Sequence, residues 1–306
     1  MRIAIFGNER RLKKQFLKKR IDAYLRNSII IAEELNATFL YNEAEYGKHL
    51  DSKFDAILLF YANYYSPIKQ MKIIAENNKD AKYYFIANEY TITPAYTFLN
   101  DKDLTLITNW VCDDAIMLNL NLLFSRSANQ LTNKPYDCIY YGTFRQNRTK
   151  YFKEYLKDEM ILSTTSKNYK KYINIGCTAK LTNKLNWIRN KETLNLFKYQ
   201  IYIEDEYTHK VFNNLGNRYY EAGFCNNVVF FDINCMNTIT KSELGYYIEQ
   251  VEFYIVSNYK ELREKIKICN QDFSKHLAIQ KSWRINEATL RKQMLTDFKN
   301  IIYNGQ

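Results

Sequence analysis

Short runs of apolar residues recur along this chain, each followed by a longer amphipathic stretch, and that alternation limits the fold more than any other feature. In the first half the runs are RIAIF (Arg2 to Phe6), ATFLY (Ala37 to Tyr41), FDAILLFY (Phe54 to Tyr61), YYFIA (Tyr83 to Ala87) and LTLITNW (Leu104 to Trp110). Strands that are apolar at nearly every position are covered on both faces. In a chain that alternates strand and helix, this means a parallel sheet between helices. A basic stretch running to about Glu34 and the stretch Ile68 to Asn77 supply helices. The segment Ser125 to Tyr136, polar and carrying Pro135, reads as a connection. The pattern then restarts with CIYYG (Cys138 to Gly142), a helix from about Arg148 to Lys157, MILSTT (Met160 to Thr165), QIYIE (Gln200 to Glu204), a helix around Arg218, VVFFD (Val228 to Asp232) and EFYIV (Glu252 to Val256). From about Asn258 the chain reads as helical, with a last amphipathic helix near Ile285 to Tyr303.

A chain of 306 residues, 46% of them apolar, is long enough for two cores. The expected class is therefore α/β, with two Rossmann-like domains. Residues 1–130 form the first, completed by a C-terminal helix over about 285–306, and residues 131–284 form the second. No stretch approaches the roughly 18 consecutive apolar residues of a membrane span, and the start, MRIAIFGNERR, turns charged too early for a signal peptide. A cytoplasmic protein without membrane attachment is expected. Six cysteines without a CxxC pair argue against a zinc site or disulfide framework, and none of the three histidines stands at ligand spacing, so no metal site is expected. His209 reads as an exposed polar residue. The formal charge of +11 favours a polyanionic partner, although acidic lipid or simple solubility would give the same number.

Two clusters carry chemistry. The first, Gly142-Thr143-Phe144-Arg145-Gln146-Asn147-Arg148, follows a strand and opens a helix. A glycine before a helix N-terminus offers free N–H groups to phosphate, and arginines add charge-assisted contacts that suit a diphosphate. A strand-turn with solvated arginines would look the same. The second is Asn217-Arg218-Tyr219-Tyr220-Glu221-Ala222 before the strand VVFFD. Arg218 and Glu221 are three apart and share a helix face, with the arginine near the anion-binding end. Glu221 would accept from ribose hydroxyls and Arg218 would face a diphosphate; the alternative is a surface ion pair of little worth.

Together these clusters resemble the GT-B glycosyltransferases, and within them the phage DNA β-glucosyltransferases. Tyr140 to Arg145 is similar to the family's phosphate loop, and Arg218-x-x-Glu221 to its nucleotide-sugar helix. Weaker similarity runs through Met1 to Phe6, Phe54 to Phe60, Lys82 to Asn88 and Glu252 to about Ile302. The resemblance implies a GT-B fold with parallel sheets facing a central cleft, an N-terminal acceptor domain and a C-terminal nucleotide-sugar domain. It further implies that Gly142, Thr143, Arg145, Arg148 and Arg218 contact the diphosphate, that Glu221 holds the ribose, and that Tyr207 lines the donor site. Ala179-Lys180-Leu181 matches the uracil-binding strand. The donor would be a UDP-sugar, UDP-glucose first, with a divalent cation (Mg or Mn) on the diphosphate.

The implied acceptor is a hydroxymethylated pyrimidine in double-stranded phage DNA, flipped out of its stack and modified in the host cytoplasm during infection by a monomeric enzyme. Arg10, Arg11, Lys13 and Lys14 lie in a dense basic segment after the first strand and would track DNA phosphates; a solvated helix face would carry the same residues. The family places its catalytic aspartate at the end of the strand matching Tyr83 to Ala87. This chain has Asn88 there, so the expected base is Glu89, with Asn88 positioning acceptor or sugar and the transfer inverting. Two other readings stand beside this one. The first is a GT-B enzyme acting on a surface polysaccharide or lipid, and the second a non-catalytic protein that binds nucleotide sugar or DNA.

Overall fold

The computed structural model describes residues 1–6, 23–40, 43–60, 68–87, 103–108, 115–123, 133–187, 193–205, 208–209 and 215–304. Two compact units divide the chain. One is Met1–Phe124 with Thr289–Gln306, and the other is Ser125–Ala288.

The first unit runs β1 (Ile3–Phe6), α1 (Ala23–Glu34), β2 (Thr38–Leu40), α2 (Glu43–Lys48), β3 (Ala56–Phe60), α3 (Ile68–Asn77), β4 (Lys82–Ala87), β5 (Leu104–Thr108), β6 (Ala115–Met117) and α4 (Leu120–Leu123). Its six strands are parallel, in the order β2-β1-β3-β4-β5-β6. Every residue of β1 is buried, as a strand covered on both faces requires. In α3 the buried residues are Met71, Ile74 and Ala75, spaced three and four apart on one face.

The second unit repeats the plan with β7 (Tyr136–Tyr141), α5 (Thr149–Tyr155), β8 (Ile161–Ser163), α6 (Ser166–Asn174), β9 (Lys180–Thr182), β10 (Phe197–Tyr202), α7 (Asn217–Phe224), β11 (Val228–Asp232), α8 (Met236–Lys241), α9 (Ile248–Val251) and β12 (Ile255–Val256). The helices α10 (Tyr259–Gln271), α11 (Phe273–Ser282) and α12 (Glu287–Asn304) close the chain. The six strands of this sheet are also parallel, in the order β12-β11-β10-β7-β8-β9. Lys134, in the polar stretch before β7, is buried, and its ammonium donates to the carbonyls of Asn195, Phe197 and Cys225.

From α12, Phe298, Ile301 and Ile302 enter the first unit's core beside Ile3, Ile31 and Tyr84. The Tyr84 hydroxyl donates to the Ile301 carbonyl at 3.0 Å, and the Tyr303 hydroxyl to the Leu35 carbonyl at 3.1 Å.

Two expectations change. EFYIV is not a strand throughout: Glu252–Tyr254 form a 3-10 turn, and only Ile255–Val256 pair with β11. Phe253 stacks on His276 of α11, and Tyr254 sits 2.9 Å from that ring's Nδ1, so these aromatics pack on a helix instead of extending the sheet. The histidine expected at the surface, His209, is buried, with Nδ1 2.6 Å from the Thr238 hydroxyl. Five cysteines (Cys138, Cys177, Cys225, Cys235, Cys269) are buried free thiols, and Cys112 lies outside the described residues. Among the described residues no helix is long and apolar enough to cross a membrane.

Candidate functional site

In the second sheet the strand order reverses between β10 and β7. From β7 the chain proceeds to β8 and β9 on one side, and from β10 to β11 and β12 on the other. Open α/β sheets bind ligands outside the carboxyl ends of their strands at such a switch point. Here β7 ends at Tyr141 and runs into Gly142, while β10 ends at Tyr202 and runs into Glu204 and Asp205.

Gly142 marks a close approach. A Cβ built on it would lie 3.0 Å from Nη2 of Arg218, so a larger residue would push that guanidinium away. Its carbonyl accepts from the Thr164 hydroxyl at 2.8 Å, which fixes the turn. Phe144 anchors the loop against Tyr172 and Phe152, at ring separations of 5.1 and 5.8 Å. Thr143 and Arg145 are exposed. A 3-10 turn, Gln146–Arg148, then delivers Arg148 into the interior at the start of α5.

The α7 helix begins after Gly216, whose N–H donates to the Tyr202 hydroxyl at 2.8 Å. Arg218 is in its first turn, where helix N–H groups and dipole favour an anion. Arg218 and Glu221 do not serve as a surface pair. Arg218 donates from Nε to the Tyr141 carbonyl at 3.0 Å and from Nη1 to Glu204 at 2.7 Å. Glu221, buried, accepts the Tyr141 hydroxyl at 2.6 Å. Strand β7 and helix α7 are thus pinned through one tyrosine, and burial together with Glu221 raises that phenol well above its ordinary pKa.

Sequence reasoning missed Glu204 and Asp205 as site residues. Glu204 lies between two arginines, meeting Nη2 of Arg148 at 2.5 Å and Nη1 of Arg218 at 2.7 Å. Asp205 takes Nε and Nη2 of Arg148 at 3.1 and 2.9 Å, and also the backbone N–H and hydroxyl of Thr208. Burial alone would raise the Asp205 carboxyl; the Thr208 and Arg148 hydrogen bonds outweigh it and hold the group below its usual range. For Arg148, burial opposes the charge and Glu204 outweighs it, so the guanidinium stays firmly protonated. The result is a chain Asp205–Arg148–Glu204–Arg218 across the switch point, in which Arg148 is held through Nε and Nη2 and Arg218 through Nε and Nη1. His209 stands beside this group, its pKa lowered by burial against the pull of Glu204 and Asp205.

The structure therefore brings Gly142, Arg148, Arg218 and Glu221 together, with Thr143 and Arg145 on the adjoining loop. Ala179 to Leu181 lies at the sheet's edge, entering β9, with Ala179 buried and the other two exposed. Tyr207, Asn88, Glu89, Arg10, Arg11, Lys13 and Lys14 lie outside the described residues. Among the described residues no group of three or more His, Cys, Asp or Glu side chains could hold a metal.

No protein-family model matches the sequence, and no curated protein matches it. The fold has close counterparts among solved structures. The chain is similar to the T4 phage β-glucosyltransferase in complex with its UDP-glucose substrate, at TM-score 0.67 and 15% identity over 99% of both chains. The same phage enzyme with UDP and Mn2+ matches at TM-score 0.66 and 14% identity, again over 99% of each chain. An α-glucosyltransferase in complex with UDP-glucose and DNA containing an abasic site matches at TM-score 0.55 and 10% identity, over 96% of this chain and 95% of that one. With two sheets of six parallel strands, the chain has the GT-B fold.

Proposed function

We propose that this chain is a UDP-sugar-dependent glycosyltransferase, a hexosyltransferase whose donor is UDP-glucose. The observation that carries the reading is the convergence at one switch point of a glycine-opened loop, two arginines and a buried glutamate, in a fold shared with enzymes solved with UDP-glucose. In this reading Arg218 and the loop of Gly142, Thr143 and Arg145 bind the diphosphate, with Arg148 behind them, and Tyr207 lines the donor site. Glu221 keeps acceptor capacity beyond the Tyr141 hydrogen bond, because an ionised carboxylate offers about four lone-pair sites. It can therefore also take a ribose hydroxyl. A divalent cation (Mg or Mn) on the diphosphate belongs to this reading, supported by the phage enzyme of the same fold solved with UDP and Mn2+; among the described residues Glu204 and Asp205 are engaged by arginines. Charge neutralisation in the described part of the site falls to the guanidinium groups.

We further propose a hydroxymethylated pyrimidine in double-stranded DNA as acceptor, the first unit as the acceptor domain, Arg10, Arg11, Lys13 and Lys14 as phosphate contacts, and inverting transfer with Glu89 as base and Asn88 as a positioning amide. Support comes from the charge of +11 and from the DNA named with the α-glucosyltransferase of the same fold. The test is radiolabelled UDP-glucose offered to unmodified, hydroxymethylcytosine and hydroxymethyluracil DNA. Label entering one of the modified DNAs is expected. Intact donor binding with no label in any DNA would refute the acceptor assignment and leave a polysaccharide or lipid acceptor, while absence of UDP binding would refute the donor assignment too.

A further inference from the structure

Residues 160–191 hold seven basic side chains and no acidic one, an imbalance far steeper than that of the whole chain. The structure arranges part of this excess on one surface. Helix α6 is seated by Tyr172, fully buried, and by Tyr169, whose hydroxyl donates to the Ala179 carbonyl ahead of β9 at 3.1 Å. That seating turns Lys167, Lys170 and Lys171 outward at spacings of three and four, and all three are exposed. Lys180, on the edge strand β9 that α6 leads into, is exposed as well.

None of these four lysines forms an ion pair among the described residues. Elsewhere in the unit some cations are matched, Arg263 by Glu159 and Lys265 by Glu261, while single lysines such as Lys153 and Lys267 stand unpaired among the described residues without forming a stripe. The surface also adjoins the phosphate loop: Lys171 lies 6.0 Å from the ring of Phe144, the residue before exposed Arg145. Unpaired like charges at neighbouring helix positions destabilise the helix, so an acid-free stripe of this kind suits a partner that brings the counter-charge.

We propose that the exposed face of α6, with Lys167, Lys170 and Lys171, is a docking surface for the phosphate backbone of duplex DNA on the nucleotide-sugar unit. It is separate from the N-terminal basic segment. The inference rests on the DNA-acceptor reading above. Its contacts are to backbone charge, independent of base sequence, and they serve to hold the duplex beside the donor loop.

The test is a double variant, Lys167→Gln and Lys170→Gln, with Lys171 left in place because it adjoins Phe144 and Lys180 because it falls in the strand matched to uracil binding. Binding to a fluorescent unmodified duplex is titrated from about 0.05 to 1 M salt, with UDP affinity measured in parallel. Each lost phosphate contact lowers the log–log salt slope by about 0.9, so loss of two contacts should lower it by about 1.8. Binding at about 0.1 M salt should then weaken roughly 60-fold, with the two curves converging near 1 M. UDP affinity should be unchanged. Wild-type binding with a steep slope that the variant retains would overturn this inference alone. No duplex binding by the wild type, or binding only to phosphatidylglycerol vesicles, would overturn the DNA reading and this surface with it.

Discussion

Replacing Glu204 by glutamine removes the carboxylate that Arg148 and Arg218 share. Both contacts are short, 2.5 and 2.7 Å, and the Glu204, Arg148 and Arg218 side chains are 7%, 10% and 20% exposed. Arg148 would keep Asp205, but Arg218 would be left with the Tyr141 carbonyl and the faces of Tyr140 and Tyr141. Removing one partner of a buried ion pair costs about 3–5 kcal/mol. Asp205 and the partial exposure of Arg218 favour the lower end, about 3 kcal/mol. For a unit of this size each kcal/mol moves the melting temperature by about 2–4 °C, so the variant should melt about 6–12 °C lower. A diphosphate can supply the missing negative charge. At a hundredfold excess over Kd, a ligand contributes about 2.7 kcal/mol; in the variant, UDP should contribute more at the same concentration, because two under-neutralised guanidinium groups await it. Differential scanning calorimetry of both proteins, with and without UDP, measures each step. A variant melting within about 1 °C of wild type would refute the energetic reasoning, and a UDP-induced rise no larger than that of wild type would refute the assignment of these arginines to the diphosphate.

Arg218→Ala should weaken UDP binding about tenfold or more in titration calorimetry, since a charged hydrogen bond in a partly desolvated site is worth about 1.5–3 kcal/mol. Glu89→Gln should lower turnover by roughly 10²–10⁴ while UDP affinity holds, read from single-turnover rates beside calorimetry. The Glu287 carboxyl is pushed up to about 7 by burial, with Arg284 opposing and Glu243 reinforcing the shift. The folded state therefore holds that proton at pH values where the unfolded chain has lost it. Stability should fall as pH rises from about 4.5 to 7, by about 2–3 kcal/mol, and Glu287→Gln should flatten that part of a denaturant-unfolding profile.

The parts of the fold that the sequence reveals are those with a strong local signal. VVFFD and Ile68 to Asn77 form elements at the expected residues because burial on two faces, or on one helical face, leaves an unmistakable pattern. β6 escapes, and β9 is met only through the family resemblance, because both are short, half-exposed and set at sheet edges. Arg218 and Glu221 are recognisable from their spacing on a helix, but their partners are not. Glu204 and Asp205 follow an apolar strand as acidic loop residues do everywhere, and only the strand order sets them against an arginine 57 positions away. His209 is hidden from sequence reasoning for the same reason, since the hydroxyl that makes its burial tolerable comes from Thr238, far along the chain.

The assembly of the first unit from two distant pieces has a consequence for synthesis. A ribosome makes β1 to β6 before the second unit, but Phe298, Ile301 and Ile302, which cover Ile3, Ile31 and Tyr84, emerge only after it. The second unit is one continuous stretch, Ser125–Ala288, and all of its residues are available before that covering helix is complete. During translation the older sheet therefore waits with an apolar face uncovered, a surface that chaperones recognise and that favours aggregation. A stop codon near Ala288 would spare the whole second unit, yet leave the first without its closing helix. The helix that follows the second unit thus determines whether strands made long before it find their cover.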